Sequence, residues 1–119
     1  MTAHNQLQPA IDDQRLSDVF GQLSNDRRRV VIDSLSAADE PLSINDLTRE
    51  ITELEVGDDY NTDERKRVYV GLHQCHLPSL DDAGLINVER DRREISLTER
   101  GKTARNIIDV VARMLEGER

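Results

Sequence analysis

Aromatic side chains are nearly missing from this 119-residue chain: Phe20, Tyr60 and Tyr69 are the whole set, and tryptophan does not occur. A core must therefore be assembled from Leu, Ile, Val and Ala, which a small helical domain achieves when its apolar stripes are aligned. Cysteine is limited to Cys75, which excludes an internal disulfide and fits a reducing compartment. No apolar run approaches the roughly 18 residues of a membrane span, and the opening residues lack the basic-then-apolar pattern of an export signal. A cytoplasmic protein without membrane contact is expected. Also missing are a nucleophile elbow, a glycine-rich phosphate loop and zincin spacing, and the carboxylates are spread along exposed faces. Neither an enzyme nor a cofactor is expected.

Lysine is as scarce as the aromatics. Of 16 basic residues only Lys66 and Lys102 are not arginine, and 24 acidic residues bring the net charge to −8. That sign is the reverse of the usual footprint of a nucleic-acid-binding domain. The bias toward Arg and Asp resembles proteins of salt-loving archaea, where molar salt shortens the Debye length to about 3 Å and leaves local contacts to decide. The acidity therefore argues only weakly against DNA.

Residues 1–13 carry no apolar period and are expected to form a loose tail, leaving 14–119 as a single domain. Leu16, Val19, Phe20 and Leu23 recur at helical spacing. A second helix is expected over about Asp26 to Ala37, capped from Ser24-Asn25, with some of Val30, Val31, Ile32 and Leu35 buried. Pro41 ends it, and Leu42 can add a one-residue strand. Ser43 followed by Asp46 is a variant capping box opening a third helix whose stripe is Ile44, Leu47, Ile51 and Leu54. Glu55 to Asn61 reads as a polar loop, longer than the turn of a minimal helix-turn-helix.

The fourth helix is expected from Thr62 or Asp63 to Ala83, kinked by Pro78, with Val68, Leu72, Cys75 or His76, and Leu80 inward and Leu77 near the stripe's edge. Gly84 stands where a helix end needs a left-handed residue, and Leu85 can fold back onto the last turn. Ile86 and Val88, then Ile95 and Leu97, alternate as two strands around the polar stretch Glu89 to Glu94. Thr98 caps a last helix, about 99–116, whose band of Ala104, Ile107, Ile108, Val110, Val111, Met114 and Leu115 is wider than one small core needs. A mainly α fold with a small β-hairpin wing (α+β), a winged helix-turn-helix, is the expected class.

The segment His76-Leu77-x-x-Leu80-x-x-Ala83-Gly84-Leu85-Ile86, with Ile95-Ser96-Leu97-Thr98-x-x-Gly101, resembles the recognition-helix end and wing of ArsR- and MarR-like winged-helix regulators. Leu16-Ser17-Asp18-Val19-Phe20-x-x-Leu23-Ser24-Asn25-x-x-Arg28-Arg29, with His76-Leu77-Pro78-x-Leu80, resembles an uncharacterised winged-helix family of halophilic archaea. The likeness spans roughly residues 16–104, and the longer loop before the fourth helix and Pro78 depart from the regulators' pattern. It implies double-stranded DNA as the partner, with the fourth helix in the major groove and the wing on the phosphate backbone.

The residues assigned to that task are Arg65, Lys66, Arg67, Tyr69, His73 and Gln74 on the helix, and Arg90, Arg92 and Arg93 at the wing tip. Arginine grips guanine bidentately, glutamine reads adenine, and tyrosine touches phosphate or a base edge. With Val68 and Leu72 inward, Lys66, Arg67, Val70, His73 and Gln74 should project most, flanked by Arg65 and Tyr69. The competing reading is a solvated helix start whose basic residues pair with Asp63 and Glu64, and a charged turn that merely protects the hairpin from aggregation. Arg27, Arg28 and Arg29 oppose their helix dipole, so either a phosphate or a bridge to acids such as Asp26 and Asp33 is expected. A homodimer through Ile107, Ile108, Val111, Met114 and Leu115 is favoured over packing of that band against Leu16, Val19 and Phe20. The rival functions are a winged-helix module that binds an unknown protein partner, and a metal or redox sensor using His73, Cys75 and His76. Only residues three or four apart share a helix face, so Cys75 points away from the two histidines and no metal site is expected.

Overall fold

Helix α1 (Gln14–Leu23) and α2 (Asp26–Ala37) are separated by Ser24-Asn25, where the Asn25 side chain accepts a hydrogen bond from the Arg28 amide and caps α2. Strand β1 (Leu42–Ser43) leads into α3 (Ile44–Val56), and a long rod follows: α4 (Thr62–Gly71), a π turn (Leu72–His76) and α5 (Leu77–Asp82). Strands β2 (Ile86–Glu89) and β3 (Glu94–Leu97) form the hairpin before α6 (Glu99–Gly117). This computed structural model describes residues 14–117; the expected tail, residues 1–13, lies outside the described residues. The sheet is antiparallel in the order β1-β3-β2, with Leu42 opposite Ile95, Val88 opposite Ile95 and Ile86 opposite Leu97. Two helices, a short strand, the α3–α4 pair and a hairpin laid on that strand make a winged helix-turn-helix.

The core cluster contains only Leu, Ile, Val and Ala: Val31, Ile32 and Leu35 of α2, Leu47 and Ile51 of α3, Val68, Leu72, Leu77 and Leu80 of the rod, and Leu85, Ile86, Ile95 and Ala104 beyond it, among others. Phe20 stays exposed. Three details of the expected stripes are corrected. Leu54 is 69% exposed; Thr48 and Thr52 are buried in α3 instead, which is tolerable because their hydroxyls donate to the carbonyls of Ile44 and Thr48 at 2.6 Å. Of the alternatives Cys75 and His76, the first is exposed and the second half-buried, and Leu77 takes the inward place. Ser43 does accept from the Asp46 amide at 3.0 Å, but the Asp46 carboxylate turns to Arg49 at 3.2 Å.

The helix-to-wing junction follows from glycine and threonine. Gly84 has φ +77; its amide donates to Asp81 O at 2.9 Å and the Leu85 amide to Leu80 O at 3.0 Å, the paired bonds of a Schellman stop. Leu85 is thereby driven into the core. Thr98 locks the other side: its hydroxyl donates to Gly84 O at 2.6 Å and accepts from the Gly101 amide at 3.0 Å, capping α6. Gly101 lets α6 press on this corner, because a Cβ there would lie 2.1 Å from Leu85 O. The wing's root is thus tied to the end of the rod.

Candidate nucleic-acid interface

Helix α4 starts cleanly. Asn61 accepts from the Glu64 amide at 2.8 Å while the Glu64 carboxylate accepts from the Asn61 amide at 3.0 Å, a full capping box. Because α3 runs to Val56, the connection is only residues 57–61, entered through Gly57 at φ +100; the turn is tighter than the expected polar loop. With Val68 and Leu72 inward, Lys66, Arg67, Val70, His73 and Gln74 are exposed, and Arg65 and Tyr69 are half-buried at the flanks. Tyr69 and His73 stack, their ring centroids 5.8 Å apart.

Beyond Gly71 the rod widens. Leu77 N–H reaches back to Leu72 O, five residues away, so the inward stripe runs Val68, Leu72, Leu77, Leu80 with one extra residue in the middle. The π turn directs His76 toward α2. There Arg27 lies against Gly71, whose missing Cβ would stand 2.7 Å from the Arg27 guanidinium, and forms a two-pronged bond to Glu55 at 2.7 and 2.6 Å. That bond holds the Arg27 pKa above its ordinary value. Burial, and then the nearby Arg27 and Arg28 cations, push the His76 imidazole below its ordinary value, only partly offset by Glu55. Its Nδ1 is buried and has no hydrogen-bond partner among the described residues.

At the wing, Arg90 to Arg93 form the turn between β2 and β3, with Arg93 at φ +55. Arg90 and Arg93 face a groove of about 590 Å³ between the hairpin and the rod, also lined by Tyr69, His73, Asp81 and Asp82. Of the candidates, Tyr69 and His73 of the helix and Arg90 and Arg93 of the wing thus share one groove. Lys66 and Arg67 border a separate, shallow depression with Asp63 and Val70, while Arg92 and Gln74 are exposed and line neither depression.

The engagement of the basic side chains divides them sharply. Arg28 donates to the carbonyls of Gln22 and Gly21, and Arg29 to that of Leu23 and to Asp26; these two arginines tie down the open C-terminus of α1, which accounts for cations at the wrong end of their own helix. Asp33 takes Arg105 at 2.5 Å rather than a member of that run. Arg49, Lys102 and Arg113 pair with acids on their own helices, and Arg100 donates to Ala83 O. Arg65, Lys66, Arg67, Arg90, Arg92 and Arg93 make no side-chain hydrogen bond or ion pair among the described residues. Asp63 and Glu64 do not neutralise them, since Glu64 is occupied by the cap.

Sequence reasoning missed Glu55 as the anchor of Arg27, an ion pair formed across 28 residues of chain, and it missed Asp81 and Asp82 at the groove. Nothing local marks either. No group of three or more His, Cys, Asp or Glu among the described residues is placed to hold a metal ion, and no helix among them is long and apolar enough to cross a membrane.

The fold and the arginine-bearing helix and hairpin define a winged-helix protein. Residues 20–96 match a domain family of unknown function, DUF7344, and the chain belongs to that family. A crystal structure of an ArsR family transcriptional regulator is similar at 19% identity and a TM-score of 0.49, over 89% of this chain and 94% of that one. No curated protein matches.

Proposed function

We propose that this chain is a DNA-binding transcriptional regulator, with α4 entering the major groove and the wing resting on phosphate. One observation carries the reading: among the described residues, the basic side chains left without a hydrogen bond or ion pair are the six at the start of the rod and on the wing tip. Charges that served only solubility or stability would have no reason to sort in this way. The chain is read as a homodimer, since every residue of α6 from Val110 to Gly117 is exposed, including Val110, Val111, Met114 and Leu115. Leu16 and Phe20 are exposed on α1 as well, so packing among the described residues does not cover the band; Ile107 and Ile108 are partly used by the core. It performs no catalysis in this reading, and the cytoplasm of a salt-loving cell suits its charge.

A second reading, a winged helix that binds another protein, draws support from the net charge of −8 and from Asp81 and Asp82 beside the wing arginines. Selection from a random duplex library in molar KCl, followed by anisotropy titration, separates the two. Enrichment of one sequence is expected, with at least about tenfold weaker binding after Arg65, Lys66 and Arg67 are replaced together by alanine, each base contact being worth about 1–3 kcal/mol. Replacing Arg90, Arg92 and Arg93 should flatten the salt dependence by about 0.9 in slope for each phosphate that is no longer neutralised. Negligible binding that no substitution alters would favour the protein-binding reading.

A further inference from the structure

Val70 is the odd residue on the outer face of α4. It is 38% exposed, one turn after Lys66 and Arg67 and one turn before His73 and Gln74, all exposed. The other large apolar residues at the surface lie on α1, the end of α3, β2 and α6. Valine is a poorer helix former than the Lys, Glu or Ala that a merely solvated position would favour. Its branched side chain has essentially one rotamer in a helix, so its methyls point in a fixed direction and lose little entropy on contact. Val70 also lines the shallow depression of about 480 Å³, together with Asp63, Lys66, Arg67 and Gly71.

We infer that Val70 is a specificity-determining residue that reads thymine through its 5-methyl group. The inference rests on the DNA-binding reading above. Base edges in the major groove present donors, acceptors and one apolar group, the thymine methyl. A rigid apolar patch between cationic side chains complements that group and no other base: the cations supply attraction to phosphate and guanine, and Val70 rejects bases whose polar edge it would leave unpaired. The methyl packs on the Cγ atoms of Val70 while Lys66 and Arg67 reach the neighbouring base pair or phosphate.

The test begins with the duplex enriched by the wild-type protein. Thymines are replaced one at a time by uracil, which deletes the methyl and preserves pairing. At one position the wild type should lose about fourfold in affinity, the worth of one buried methyl, and Val70→Ala should bind the thymine and uracil duplexes equally there. The variant's melting temperature should be no lower than the wild type's, because the site is exposed and alanine is the better helix former. Equal binding of all uracil duplexes by the wild type, or retained thymine preference in Val70→Ala, overturns this inference alone. Failure to enrich any sequence overturns it together with the DNA-binding reading.

Discussion

At the level of single residues, the chain separates side chains that hold the fold from side chains that are left free, and glycine illustrates the first kind. Gly101 is the point where α6 crosses the helix-to-wing corner, and its missing Cβ leaves room for Leu85 O. Gly101→Ala should destabilise the protein by about 2–3 kcal/mol through overpacking against backbone that cannot step aside. Gly21→Ala, with nothing within 4 Å of the added carbon, should be neutral or stabilise by about 0.5–1 kcal/mol, as expected for a helical glycine. Thermal melting of the two variants checks both, and equal effects would contradict the geometry. The glycine before Leu85 was legible in the sequence because a helix stop is a local event. Gly101 was legible only as part of a motif, since its purpose is to admit a chain segment 16 residues earlier.

At the level of elements, the rod from Thr62 to Asp82 decides most about the site. Pro78 lacks an amide hydrogen and its ring crowds the carbonyl four residues back, so a kink is the natural expectation. Just ahead of the proline the chain forms a π turn, which widens the helix and admits one extra residue. This is why Leu77, not Cys75, completes the inward stripe, and why His76 meets Arg27. Periodicity alone cannot reveal a change of period inside one helix. The meeting of His76 with Arg27 also has a consequence for pH. In the folded state His76 resists protonation, whereas in the unfolded chain it takes a proton at about 6.5. The unfolded state therefore binds more protons as pH falls. The stability His76 contributes is fully present above about pH 6.5 and is lost as pH drops through its lowered native value. The melting temperature of the wild type should fall more steeply between about pH 7 and pH 5 than that of His76→Gln; parallel curves would show that His76 does not carry the dependence.

For the whole molecule, charge and apolar surface are distributed rather than mixed. The acidic excess of 24 against 16 coexists with six unengaged basic groups on one helix and one hairpin, and the projecting end of α6 carries apolar side chains such as Met114 and Leu115, each 63% exposed. If that end joins two copies, Val111→Asp with Leu115→Asp should convert a dimer to a monomer by analytical ultracentrifugation in molar KCl, with an unchanged helical signal because both positions are exposed. Binding to a palindromic duplex should then weaken by about a hundredfold or more, because the two half-sites are no longer linked. A wild type that sediments as a monomer at high micromolar concentration would rule the dimer out.

What the amino-acid order determined by itself is whatever depends on neighbours in the chain: the helix starts at Asn25, Ser43 and Asn61, the stop at Gly84, the alternation of the wing, and the outward ring of Lys66, Arg67, Val70, His73 and Gln74. These are set by caps, backbone freedom and side-chain period, which act within a few residues. Tertiary structure decided what depends on distant partners. It engaged Arg27, Arg28 and Arg29 in α1 and α3 while leaving the arginines of the rod and wing unengaged, it brought Arg90 and Arg93 to the groove of Tyr69 and His73, and it inserted the π turn. A charged side chain's partner is chosen by which surfaces the core brings together, and that information is spread over the whole chain rather than written beside the residue.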